Sequence, residues 1–265
     1  MAEHLLRYDS IANFLNEQGY IVLGADHYAH GLTCGDPEKI GIVKKYDFME
    51  TIIKSINLVR HHYEDLFTGN NILLSHSMGS MTAQRYIELY PDDFSKLILS
   101  GSDYPSITYS LAKMLTKGKS KPGQIEYSKF IDGLSVGGFN KKFKKENDPN
   151  AWLSRDVENR KRYAEDPYCG KGFPVNYFYS LSKMLRDSIK KENLNQINKD
   201  LKIFIFQGEE DPVGHFTKGP KNLEKQYKKL GLDVRFKTYL ECRHEVLNET
   251  LHLKEVYQDI LDFIK

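Results

Sequence analysis

The apolar positions along the chain fall into two alternating patterns, one near a helical period and one of short, continuous runs. From residue 5, LLRYDSIANFLNEQGY spaces Leu5, Leu6, Ile11, Ala12, Phe14 and Leu15 as one helix face and stops at Gly19; YIVLGAD then follows as a short β-rich run. This pair predicts a helix and then a buried strand. A second pair is YDFMETIIKSINLVRHHYEDLF, closed by the turn signal TGNN, and the strand ILLS. A third is MTAQRYIELY, with Ala83, Tyr86, Ile87 and Tyr90 on one face and Pro91 at its end, followed by KLILSGS. The rhythm resumes with the strand LKIFIFQG, a helix around PKNLEKQYKKLG, the strand DVRFKTYL and a closing helix in LKEVYQDILDFIK. Strands separated by helices of this length require right-handed crossovers, so the expected fold is α/β, a mostly parallel central sheet with helices on both faces.

Residues 103–195 break the rhythm. Their Gly, Pro, Ser and aromatic residues follow no steady period, and no run there reads as a central strand. The expectation is a single domain over residues 1–265 with 103–195 inserted above the sheet as a lid or cap. Charge is segregated in the same way: residues 101–200 hold 19 basic side chains against 12 acidic ones, although the whole chain is nearly balanced at +2. Much of that excess sits in NKKFKKEND, which reads first as a solvated loop and second as a surface for anionic lipid.

The near-balanced charge gives no electrostatic footprint for nucleic acid. Cys34, Cys169 and Cys242 lie far apart, without metal-ligand spacing or a disulfide framework, and imply a reducing compartment. No run approaches the roughly 18 apolar residues of a membrane span, and MAEHLLRYDS lacks the basic start and apolar stretch of a signal peptide. The expectation is a cytoplasmic protein without a transmembrane segment.

The chemistry concentrates at NNILLSHSMGS, where an apolar run breaks on Ser77 before a helix. A serine there can simply cap the helix. It can also stand on a sharp strand-to-helix elbow, where small residues two places either side let the two elements approach and leave the hydroxyl exposed. A serine nucleophile needs a histidine base held in one tautomer by a carboxylate. Asp211 in the turn after IFIFQG and His244 after FKTYL supply those groups in the order Ser, Asp, His.

On these residues the chain resembles the monoacylglycerol lipase and lysophospholipase branch of the α/β-hydrolases. The family's GHSMGS is present as SHSMGS, its DHRGHG as DHYAHG, its GxxDPVG as GEEDPVG, and RHEVLNE stands at 243–249; WLSRDVENRKRYAEDPYCGKGFPVNYFY in the insertion is also similar to bacterial relatives. The resemblance implies an α/β-hydrolase fold with Ser77 as nucleophile, His244 as base and Asp211 as its orienting carboxylate. It implies no cofactor and no metal, and a lipid ester as the small-molecule substrate, cleaved through an acyl-enzyme, with peripheral contact of the insertion with lipid surfaces as a further expectation.

Glu209 and Glu210 flank Asp211, but Asp211 alone matches the motif position. His215 follows Asp211 by four residues, as a rim histidine would. The resemblance reads the DHxxHG of His27 and His30 as a structural loop, and no third ligand at metal spacing follows. His61 and His62 end a helix, where they complement its dipole. Ser75 replaces the first glycine of the elbow and adds a hydroxyl that needs a partner.

The resemblance also bears on the start of the chain. MAEHLLRYD matches the tail of the family's HGxxEH, with Met1 at the position after HG that gives one oxyanion-hole N–H; Met78 gives the other. It implies a further strand between those near residues 22 and 73, and a chain begun at an internal methionine. Two alternatives stay open: a non-catalytic truncated scaffold, and an esterase or peptidase of the same fold acting on another substrate.

Overall fold

The computed structural model describes residues 1–43, 48–105, 114–117, 125–134 and 136–265. A single 3₁₀ turn over Leu5–Tyr8 leads into α1 (Asp9–Glu17), and α2 spans Phe48–His62. Then β1 (Ile72–His76) runs directly into α3 (Met78–Leu89), which begins three residues earlier than the periodicity of MTAQRYIELY predicts, and β2 (Lys96–Ser100) follows. The inserted segment carries α4 (Val157–Glu165) and α5 (Val175–Asp187), and contributes no strand among the described residues. Asp156 starts α4 by accepting from the Glu158 and Asn159 N–H groups. The order closes with β3 (Lys202–Gly208), α6 (Lys218–Lys229), β4 (Asp233–Tyr239) and α7 (Leu253–Ile264).

The four strands pair in parallel in the order β1-β2-β3-β4. Side chains alternate across a strand, and in the central β2 and β3 both sets are apolar because both faces are covered. Leu97, Leu99, Ile203 and Ile205 face α3 and α6, packing with Ala83, Ile87, Leu223 and Tyr227. Ile98, Phe204 and Phe206 face α1 and α7, packing with Ile11, Val256, Ile260 and Ile264. A third apolar cluster joins α2, Met78, Met81 and the α5 residues Val175, Tyr177 and Phe178, so the insertion shares a core with the layer that carries Ser77.

The strand expected over YIVLGAD is not formed. Residues 20–26 are non-regular, and Ile21, Val22 and Leu23 are 67%, 38% and 39% exposed. Composition favours a strand, but the ladder needs a neighbour, and no described strand pairs with this segment or with the outer edge of β1. The segment is held by side chains instead: Asp26 accepts from the Leu5 and Leu32 N–H groups at 2.8 Å each.

Candidate active site

Ser77 lies between the last residue of β1 and the first of α3, with φ 53° and ψ −123°. A non-glycine residue rarely holds such a φ, and the strain persists because the surroundings fix it: its N–H donates to the Ser100 carbonyl at 2.9 Å, and its carbonyl accepts from Met81 N–H at 3.1 Å. Its side chain makes no capping bond to the helix, so the hydroxyl is free to face elsewhere. The Ser75 hydroxyl donates to the Ile98 carbonyl at 2.9 Å, which supplies the partner its extra oxygen requires.

His244 meets Ser77 from the loop after β4. Its Nε2 is 2.8 Å from Ser77 Oγ, and its Nδ1 is 3.0 Å from both carboxylate oxygens of Asp211. Asp211 is completely buried in the turn after β3; its Oδ1 also accepts from Val213 N–H at 2.8 Å. Burial of the ring disfavours charge on His244. The Asp211 carboxylate outweighs it by charge and hydrogen bonding, helped by Glu245 and Glu3, so the imidazole pKa lies above its ordinary value. With Nδ1–H committed to Asp211, Nε2 is left as the acceptor for the serine proton.

Close backbone approach makes this geometry possible at two glycines. Gly101, after β2, has φ 55°, and a Cβ there would stand 3.0 Å from both the His244 and the His76 rings. Gly208, at the end of β3, lies against the Cys242 and Arg243 carbonyls.

Met78 follows Ser77 at the start of α3 and is buried; Tyr177 from α5 donates its hydroxyl to the Met78 sulfur. Met1 packs against the same apolar cluster as Met78. Burial pushes the Met1 amino group below its ordinary pKa, and its charge is felt at His27, His30 and His76. The Met1 nitrogen therefore lies within electrostatic reach of the residue beside Ser77.

The other histidines fall elsewhere. Burial pushes His27 down to about 4 and His30 to about 3, so both rings are neutral near pH 7. His30 sets its Nδ1 3.1 Å from the Tyr28 carbonyl and its Nε2 3.3 Å from the Tyr177 hydroxyl, a loop-bracing role. His61 and His62 lie in the last turn of α2. His215 is 53% exposed, and its ring pairs at 3.6 Å with Asp103. His215→Gln is expected to leave the turnover number within about threefold, as most surface substitutions do; a loss matching that of His244→Gln would make His215 the base.

Two contacts escape the sequence reading. The Trp152 ring lies 5.3 Å from His244 at 33°, placing the insertion directly against the imidazole. His4, Asp166 and Cys169 bring a nitrogen, an oxygen and a sulfur within 4.8 Å of one another, from positions whose spacing gives no sign of it. Burial raises the Cys169 thiol to about 12, so it is protonated near neutral pH, and the His4–Asp166 bond of 2.7 Å tethers the two chain segments.

Parallel sheet, helices on both faces and a serine on a strained strand-to-helix turn define the α/β-hydrolase fold, and solved structures agree. A thermostable carboxyl esterase from Bacillus coagulans matches with TM-score 0.87 and 26% identity over 100% of this chain and 86% of its own. The monoacylglycerol lipase of Paleococcus ferrophilus matches in fold with TM-score 0.72 and 21% identity, covering 100% of this chain and 90% of its own. The family model described as "Serine aminopeptidase, S33" matches residues 1–251, and the chain belongs to that family of hydrolases. In sequence, it is 28% identical to a monoacylglycerol lipase of Mycolicibacterium smegmatis over 128 residues, 46% of this chain and 43% of that protein. The match thus spans less than half of that curated relative.

Proposed function

We propose that this chain is a serine hydrolase that cleaves carboxylic esters of lipids, with monoacylglycerols or lysophospholipids as substrates. The observation that carries it is the continuous hydrogen-bonded line from Ser77 Oγ through His244 to Asp211, starting at a strained turn. Ser77 attacks the ester carbonyl as His244 Nε2 takes its proton, and the alcohol leaves with that proton. The Met78 N–H receives the oxyanion, with the Met1 nitrogen proposed as the second donor. Water, deprotonated by His244, then releases the acyl group from Ser77. Residues 103–195 serve as a cap on a single domain.

The test is hydrolysis of p-nitrophenyl esters over a range of acyl lengths, with glycerol and glycerophosphocholine esters beside them. A lipid hydrolase is expected to prefer medium or long acyl chains. Turnover of amino-acid amides without turnover of esters would replace this reading with the peptidase one.

Contact with anionic lipid is part of the proposal. Lys141, Lys142, Lys144 and Lys145 are exposed around the buried Phe143. Changing all four to glutamine is expected to lower hydrolysis on negatively charged vesicles about tenfold, at about 1 kcal/mol or less for each surface charge, and to leave a short soluble ester unaffected. Added salt should mimic the change. Equal effects on both substrates would leave only a solvated loop.

A scaffold without turnover is the second reading, favoured by the absence, among the described residues, of a strand partner for segment 20–26 and for the outer edge of β1. A fluorophosphonate probe separates the two: the hydrolase is labelled at Ser77, and a folded scaffold is not.

A further inference from the structure

The residues on either side of His244 are bonded to the cap, and those bonds form a clamp. Arg243 is only 5% exposed. Its two terminal nitrogens grip the Glu146 carboxylate in a bidentate pair, Nη1 to Oε2 at 3.1 Å and Nη2 to Oε1. Nη1 also donates to the Ala151 and Ser154 carbonyls at 2.6 and 3.3 Å, and the guanidinium lies 4.2 Å over the Phe143 ring. Behind Glu146, Arg160 donates to Oε2 at 2.5 Å and approaches Asp148 at 3.1 Å.

The other neighbour, Glu245, gives its N–H to the Leu153 carbonyl at 2.8 Å and accepts from Asn159 Nδ2 at 2.7 Å. Glu249 bridges the same two segments, accepting from the Arg243 and Arg155 backbone N–H groups at 2.8 and 2.5 Å. Between these ties sits Trp152, against His244 itself.

Resting on the hydrolase reading above, we propose that Glu146 is a positioning residue for His244. By holding the Arg243 guanidinium it locks the cap segment 146–159 to the loop of the base, so that Nε2 reaches Ser77 only while the cap is docked. Bidentate arginine–carboxylate pairs fix orientation as well as distance, and a base displaced by about 1 Å loses much of its rate. Hydrogen bonds from Arg243 and Arg160 hold the Glu146 carboxyl at about 2, so the clamp stays charged through the neutral range.

The chain contains one tryptophan, so its emission reads the clamp directly. A protonated imidazole quenches an adjacent indole. Asp211, Glu245, Glu3, His76 and Arg243 are the titratable or charged groups facing or adjoining His244. Among them, His76 is pushed down to about 3 by burial and stays neutral in the working range. The wild-type emission is expected to fall as pH drops through the His244 transition, and His244→Gln to remove that step.

In Glu146→Gln, the quenching step should shrink to less than half, and kcat on p-nitrophenyl acetate should fall about tenfold with KM within about twofold. Arg160→Gln loosens Glu146 without touching Arg243; about a threefold fall in kcat and a partial loss of quenching are expected, and this variant carries the test if Glu146→Gln does not fold. A folded Glu146→Gln with wild-type kcat and quenching would overturn the proposal, as would a wild-type step that survives His244→Gln. Failure of the hydrolase reading is a different result: no ester turnover and no fluorophosphonate labelling in the wild type, whatever the emission does.

Discussion

Replacing Ser77 with alanine is expected to abolish ester hydrolysis, a loss of about 10⁴-fold or more, while the protein stays folded. In the proposed mechanism the hydroxyl supplies the attacking atom, and it makes no capping bond to α3. Alanine keeps the Cβ and so keeps the strain at φ 53° that the backbone bonds to Ser100 and Met81 already sustain. His244→Gln removes the acceptor of the serine proton, and Asp211→Asn allows the imidazole to turn its tautomer the wrong way. Both should be severe. Because the three side chains form one line of hydrogen bonds, the losses cannot add: each change alone already breaks the relay. Turnover measured for the singles and for Ser77→Ala/His244→Gln checks this. Full activity in Ser77→Ala would end the mechanism, and a double variant far slower than either single would mean that the residues act separately.

Ser77, Asp211 and His244 could be singled out in the sequence because each follows a strand that its residue pattern makes visible, and parallel strands bring their C-terminal ends to one edge of the sheet. KLILS and KIFIFQG announce themselves as continuous apolar runs because both faces of β2 and β3 are buried, ILLS is a shorter apolar run, and DVRFKTY is legible instead by its alternation of charged with apolar residues, one face being exposed. YIVLGAD has the same composition and forms no strand, because pairing depends on a neighbour that local sequence does not describe. The clamp is hidden for a related reason. Arg243 and Glu146 lie 97 residues apart, and no periodicity relates them. Trp152 likewise reads as an ordinary aromatic residue in a broken pattern until the insertion is folded against His244. What sequence makes plain is chemistry at the ends of regular elements; what it conceals is how the irregular insertion meets that chemistry.

The position at which fold and site depend most on a missing side chain is Gly208. A Cβ there would fall 2.1 Å from the Arg243 carbonyl oxygen and 2.3 Å from that of Cys242. These are backbone atoms, so no rotamer change can make room. The same Cys242 carbonyl accepts from Glu210 N–H at 2.9 Å, and Asp211 N–H reaches back to the Gly208 carbonyl at 3.2 Å. The turn carrying Asp211 and the loop carrying His244 are therefore in contact through this glycine. In Gly208→Ala the methyl group has to push the 242–244 loop away from β3, stretching the His244–Asp211 bonds and straining the Arg243 clamp in one movement. Overpacking of this kind costs about 1–3 kcal/mol, and a misplaced base adds about 10²-fold in rate. Gly172 is the control: it is exposed, and nothing lies within 4 Å of a Cβ built there, so Gly172→Ala should change neither quantity. Denaturant midpoints and kcat for the two variants make the comparison. If Gly208→Ala matched Gly172→Ala in both, the acid turn and the base loop would not be held by this contact, and the alignment of His244 would have to come from the cap side alone.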